Sequence, residues 1–168
     1  MTARLADGGS ASAETAVLAG GCFWIMQHLL RNHVGVVSTR VGWIGGQNDN
    51  PTEEDNVGHA EAVEVVFDPG QLSYRDLLDF FLKAHRADLG EEVVGSGYRS
   101  AIFCTSEAQR EIADEVIRTF RTSGHWPGPI ATEIGEAGRF WEAEADDQDY
   151  FQRATPSGAR ASAPAHHA

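Results

Sequence analysis

The chain has 168 residues, 42% of them apolar and 9% aromatic, which suits one domain with a real core. Its formal net charge is −12 at pH 7 and its lysines and arginines form no run, so nucleic acid and anionic membrane are poor candidate partners. No apolar stretch reaches membrane-spanning length. Residues 1–14 hold Arg4 and Leu5 without a continuous apolar block, so they do not read as a secretory leader, and a reducing cytoplasm is the expected compartment.

Residues 1–14 are small and polar and are expected to form a flexible arm. From Ala154 onward, ATPSGARASAPAHHA lacks the large side chains needed to offset ordering entropy, and a disordered tail over 154–168 is expected. Between them, over 15–153, strand and helix signals alternate. Residues 15–18 form a short apolar strand ended by Gly20 and Gly21. From Cys22 to about Asn32, Ile25, Met26, Leu29 and Leu30 recur at helical spacing. Residues 36–43 read as a strand, followed by a loop over 44–58 rich in Gly, Asn and Asp, and 60–67 alternates as a strand again. Ser73 with Asp76 caps a helix whose buried face is Leu77, Leu78, Phe81 and Leu82. After a strand over 98–105, Ser106 with Gln109 opens another helix, striped by Ile112, Val116, Ile117 and Phe120. A rigid loop at 126–129 precedes a last strand over 130–134. The pattern predicts an α+β architecture, a sheet with helices packed on it.

The first helix opens on a cysteine. A helix N-terminus carries unsatisfied N–H groups and a partial positive charge, so a thiol there is expected to ionise more easily, and the thiolate is the nucleophile. Cys22 is either such a reactive thiol or a small core residue. Phe23 and Trp24 could wall an apolar pocket or simply fill the first helical turn. In 60–67 the strand period puts Glu61 on one side with Val63, Val65 and Phe67. A carboxyl there loses hydration and its pKa rises, leaving it protonated as a general acid must be; otherwise Glu61 starts the strand and faces water. Glu64, on the opposite face, is expected to be solvated. Two cysteines, Cys22 and Cys104, cannot build a disulfide framework. No metal-ligand spacing or phosphate-binding loop occurs, so no metal or organic cofactor is expected. His166 and His167 read as solvated tail residues.

Three segments occur in order: GCFW at 21–24, GHAEAV at 58–63 and YRSAI at 98–102. Together they resemble the signature segments of the peptide methionine sulfoxide reductase A family. Further matches are the glycine loop at 42–46, the turn at Asn50-Pro51-Thr52, Thr132-Glu133-Ile134, and the aromatic and acidic stretch at 140–150. The likeness runs over about 16–153. It implies that family's fold, a single-domain, ferredoxin-like α+β sandwich of a mixed sheet with packed helices. It implies thiol-dependent reduction of (S)-methionine sulfoxide, free or peptidyl, through a cysteine sulfenic acid. By this resemblance Cys22 would attack the sulfoxide sulfur, Glu61 would protonate the departing oxygen and Tyr98 would hydrogen-bond it. Phe23 and Trp24 would cradle the methyl group on sulfur; Glu53, at an altered pocket position, is a candidate substrate contact, and His59, next to the site, reads as structural or pocket-lining. The sulfenic acid would be reduced by an external thiol, whether thioredoxin, glutaredoxin or a small thiol, and the protein is expected to act as a monomer.

The chain also departs from the family's pattern. Gln27 stands where a Glu is usual, Glu53 where a Tyr follows Asn-Pro-Thr, and Val93, beside Glu92, where an Asp precedes the YRS segment by five residues. The tail has no resolving cysteine, and Cys104 reads first as a buried structural thiol. The altered positions keep two alternatives open: an enzyme on the same scaffold for another sulfoxide or a sulfur-containing biosynthetic intermediate, and a non-catalytic redox sensor.

Overall fold

A computed structural model describes residues 13–89 and 97–154. The arm through residue 12, the tail from 155 with His166 and His167, and the pair Glu92 and Val93 lie outside the described residues. Six strands form one mixed sheet: β1 (Glu14–Gly20), β2 (Val36–Ile44), β3 (Ala60–Phe67), β4 (Ser100–Cys104), β5 (Glu133–Glu136) and β6 (Trp141–Glu142). Their order is β5-β4-β1-β3-β2-β6, antiparallel throughout except for the parallel β4–β5 pair. Helices α1 (Phe23–Arg31), α2 (Tyr74–Ala84), α3 (Glu107–Ser123) and the short α4 (Tyr150–Ala154) complete the α+β fold. Among the described residues no helix is long and apolar enough to cross a membrane.

The helices form where the sequence carries caps and stripes. Ser73 Oγ accepts the Asp76 N–H at 3.0 Å and Ser106 Oγ accepts the Gln109 N–H at 3.1 Å, satisfying donors that a helix start otherwise leaves orphaned. Leu77, Leu78, Phe81 and Leu82 of α2 and Val116, Ile117 and Phe120 of α3 are buried with Leu18, Val63, Val65, Phe67 and Ile102 of the sheet. The opposite face carries smaller residues, Val17, Ala19, Ala60, Ala62 and Ala101 with Ile44 and Phe103, covered by Ala137 and Phe140. That second layer explains why β3 is buried on nearly every residue.

Two expectations need correction. Glu64 is not simply solvated: it lies opposite Arg40 in the β2–β3 register and takes that guanidinium at 2.5 Å, while Arg40 also reaches Glu142 at 2.8 Å. The last predicted strand slides forward from 130–134 to Glu133–Glu136, because Ile130 turns into the core and the Ala131 N–H is taken by Ala87 O at 2.8 Å, outside the sheet. Strand β6 and the turns after it were not foreseen. They are held by a side chain: Gln148 accepts the Val41 N–H at 2.8 Å and donates to Val41 O at 2.9 Å, standing in for a strand residue at the edge of β2.

The register sets the site. Gly20 lies opposite Ser100, Leu18 opposite Val63, and Trp43 opposite Glu61. The C-terminal end of β1, where α1 begins, therefore meets the start of β3 and the start of β4 at one end of the sheet.

Candidate functional site

The chain leaves β1 through Gly21, whose φ of +89° is a left-handed conformation that a side chain would strain. Cys22 then occupies the N-cap of α1, with φ −58° and ψ 124° and its carbonyl taking the Met26 N–H at 3.1 Å. The first free N–H groups of the helix are shared between two side chains. Phe23 N–H donates to Glu61 Oε1 at 2.9 Å, and the N–H groups of Trp24 and Ile25 face the Cys22 thiol without closing a capping hydrogen bond. A thiol and a carboxyl thus sit side by side on one helix terminus.

Glu61 is fixed from its backbone as well, its N–H donating to Gly97 O at 2.8 Å. It is 4% exposed. Burial, with the charges of Glu53 and Asp147 added, pushes its carboxyl up to about 7, although the Phe23 N–H pulls the other way. The expected buried acid is therefore present. The expected easy ionisation of Cys22 is not. The thiol is half-buried, and that burial, helped by Glu61 and Asp147, raises its pKa despite the two N–H groups aimed at it. The helix terminus is real, but desolvation outweighs it in the resting site.

Tyr98, just ahead of β4 and 39% exposed, opens onto the same space, its phenol pushed up to about 12 by burial and by Glu61, Cys22 and Glu53. Phe23 and Trp24 are 1% and 3% exposed, Phe23 packing on Trp43 with ring centres 5.2 Å apart. Glu53 is exposed on the turn closed by the Thr52–Asp55 bridge, near enough to act on Glu61 and Tyr98. Cys22, Phe23, Trp24, Glu61 and Tyr98 are thus brought together, with Glu53 at the rim.

His59 is the exception. Its buried ring accepts the Gly46 N–H on Nδ1 at 3.1 Å, which leaves Nε2 to donate to Asn48 O at 2.9 Å. Both ring nitrogens are spent on the 44–58 loop, so the ring holds that loop rather than lining the pocket. A Cβ on Gly46 would collide with the ring and with the His59 backbone. Gly46→Ala is accordingly expected to cost about 1–3 kcal/mol, read from the urea midpoint; an unchanged midpoint would mean that the loop does not depend on this close approach.

Gln27 also lies away from the pocket. Its side chain is buried, donates to Thr39 Oγ1 at 3.0 Å and accepts the Asp149 N–H at 2.9 Å. Cys104 sits at the far end of β4, next to Tyr74, its thiol pushed up by burial. Four strand residues from the site end of β4 is roughly 13 Å, well outside the roughly 7 Å between Cα atoms that a disulfide allows.

Sequence reasoning missed Asp147. It lies in the 3-10 turn Ala145–Asp147 and accepts the Trp24 Nε1–H at 3.0 Å. A carboxylate following a run of acidic residues carries no periodic signal, so only the fold reveals it. Among the described residues no group of three His, Cys, Asp or Glu could hold a metal ion. What remains is a thiol, a carboxyl held up to about 7 and a phenol beside two buried aromatic rings. That set can join sulfur to an electrophile while protonating a departing oxygen.

The family model for peptide methionine sulfoxide reductase matches residues 14–166. Peptide methionine sulfoxide reductase MsrA of Mycolicibacterium gilvum is 52% identical over 144 residues, covering 83% of this chain and 85% of that protein. Methionine sulfoxide reductase A of Corynebacterium diphtheriae superposes with a TM-score of 0.70 at 31% identity, over 84% of this chain and 75% of that one. Mxr1 of Saccharomyces cerevisiae in reduced form superposes with a TM-score of 0.76 at 27% identity, over 88% of each chain. The same yeast protein solved in complex with Trx2 gives 0.56 at 26% identity, over 83% of this chain and 86% of that one.

Proposed function

Since the chain belongs to the peptide methionine sulfoxide reductase family and is an oxidoreductase that reduces methionine sulfoxide, we propose that Cys22 is its nucleophile, Glu61 its acid and Tyr98 the donor that holds the departing oxygen. One observation carries this reading: a carboxyl pushed up to about 7 lies beside the thiol, under the same helix N-terminus. A different sulfur substrate, left open by Gln27 and Glu53, is not favoured by relatives this similar.

The sulfur of Cys22 bonds to the sulfoxide sulfur, and that S–S bond breaks again as the protonated oxygen leaves the substrate sulfur and passes to the Cys22 sulfur. The oxygen ends on Cys22 as a sulfenic acid, the substrate leaves as a thioether, and two electrons pass from cysteine sulfur to substrate sulfur. Glu61 gives its proton to the oxygen as negative charge builds on it, and the proton released by the thiol restores the acid. Tyr98 holds the oxygen, and Phe23 and Trp24 receive the S-methyl group.

An external thiol then attacks the sulfenic acid, releasing water and leaving a mixed disulfide, which the reductant's second thiol resolves. The distance of Cys104 from the site supports this direct route, and the yeast neighbour solved with Trx2 supports a thioredoxin as reductant. Both cysteines are free thiols, as suits a reducing compartment such as the cytoplasm. A single turnover without reductant tests the scheme. Each chain is expected to yield one methionine from the S epimer, and the peptide bearing Cys22 to gain one oxygen that a sulfenic-acid reagent captures. Capture on Cys104 instead, or product with no oxidised cysteine, would overturn it.

A further inference from the structure

The Trp24 indole is held from one short segment. Tyr150 of α4 lies parallel to it, ring centres 3.7 Å apart and planes within 1°. A stack of that kind fixes the plane of the ring, which is 3% exposed within the core. Asp147 adds a directional tie, accepting the Nε1–H at 3.0 Å. The segment bearing both residues is itself tied down. Gln148 bonds to both backbone groups of Val41, the Asp149 N–H donates to Gln27 Oε1, and the Asp149 carboxylate meets Arg31. Asp147 is therefore half-buried on a fixed backbone, not a loose surface carboxylate.

Its charge also reaches the reacting pair. Glu61 from β3 and Asp147 from the turn act on the Cys22 thiol, Glu53 from the loop and Asp147 act on Glu61, and the Tyr98 phenol feels Cys22, Glu61 and Glu53. Asp147 opposes ionisation of both the thiol and the acid, and Glu53 opposes that of the acid.

We propose that Asp147 is a positioning residue of the site, which seats the Trp24 indole in the apolar wall and keeps a negative charge beside the Cys22 thiol and the Glu61 carboxyl. Its effect on turnover rests on the sulfoxide reductase reading above; its effect on the thiol does not. Two variants separate the two actions. Asp147→Asn removes the charge but keeps an oxygen that can accept the indole N–H, whereas Asp147→Ala removes both.

In a Cys104→Ser background, the pH dependence of Cys22 alkylation by iodoacetamide is measured beside KM and kcat for a blocked methionine sulfoxide. Both variants are expected to alkylate with a midpoint at lower pH than the parent. KM is expected to stay within about two-fold of the parent in Asp147→Asn and to rise about ten-fold in Asp147→Ala, as loss of a hydrogen bond to a charged group implies. An unmoved alkylation midpoint in both variants overturns the charge half. An unchanged KM in Asp147→Ala, or the same rise in both variants, overturns the seating half. Should the parent protein turn over no sulfoxide, the proposed function fails, while the alkylation profiles still decide whether Asp147 governs the thiol.

Discussion

Cys22→Ser is expected to abolish dithiothreitol-driven reduction of the S epimer of a blocked methionine sulfoxide, while Cys104→Ser keeps a rate near that of the parent. A serine hydroxyl is a far weaker nucleophile toward sulfur than a thiolate and has no counterpart to the sulfenic acid, so both bond formation and electron transfer are lost. The substitution should be well tolerated structurally. Cys22 is only half-buried, and a hydroxyl can accept from the same Trp24 and Ile25 N–H groups. Cys104 differs in every respect: it is 5% exposed, packed beside Tyr74 and at the opposite end of β4. Initial rates on both epimers decide the matter. A folded Cys22→Ser protein that turned over like the parent would remove Cys22 from its role, and a folded Cys104→Ser protein that did not would give Cys104 a part in turnover.

Glu61→Gln is expected to make the protein slower and, in alkaline solution, more stable. Loss of a positioned general acid costs about 10²–10⁴-fold in rate. Glutamine keeps the shape and can still accept the Phe23 N–H, so the loss would belong to the proton alone. The stability effect has a definite sign. The carboxyl moves from 4.5 to about 7 on folding, so its favourable effect on folding is complete below 4.5 and is lost as pH rises through 7. Near pH 8 the buried group holds back stability by roughly 3 kcal/mol, at 1.36 kcal/mol for each pH unit between the two values. Glutamine has no such dependence. Urea unfolding at pH 5 and pH 8 should show the variant gaining on the parent at the higher pH. In the parent, kcat/KM should also decline above about pH 7, a limb absent from the variant. Equal pH dependence in the two proteins would mean that Glu61 does not carry the titrating proton.

The legible parts of the sequence were those whose cause is local. Ser73 and Ser106 cap the helices they were expected to cap, because the signal lies within three residues. The burial of Glu61 followed from a two-residue alternation in one strand. The shift of Cys22 was misjudged because sequence displays the helix terminus but not the burial or Asp147, which lies more than a hundred residues away along the chain. His59 reads as structural or pocket-lining from its place near Glu61; it precedes β3, and its ring is fixed by Gly46 N–H and Asn48 O of the loop, partners the sequence does not display. The segment that seats Trp24 was legible only as a family resemblance. Its fold is set by Gln27, Arg31 and Val41 of distant elements, and no periodicity within 141–154 announces those partners.

The lateness of that segment in the chain has a consequence for biosynthesis. Cys22, Glu61 and Tyr98 have all left the ribosome before residues 147–150, which hold the indole, are made. A nascent chain can therefore assemble its nucleophile and acid while the pocket still lacks one wall. The thiol of such a chain keeps its proton through Glu61 and burial alone, without Asp147. Substrate recognition arrives last, so the finished enzyme and its nearly finished precursor should differ in what they bind more than in what their cysteine can attack.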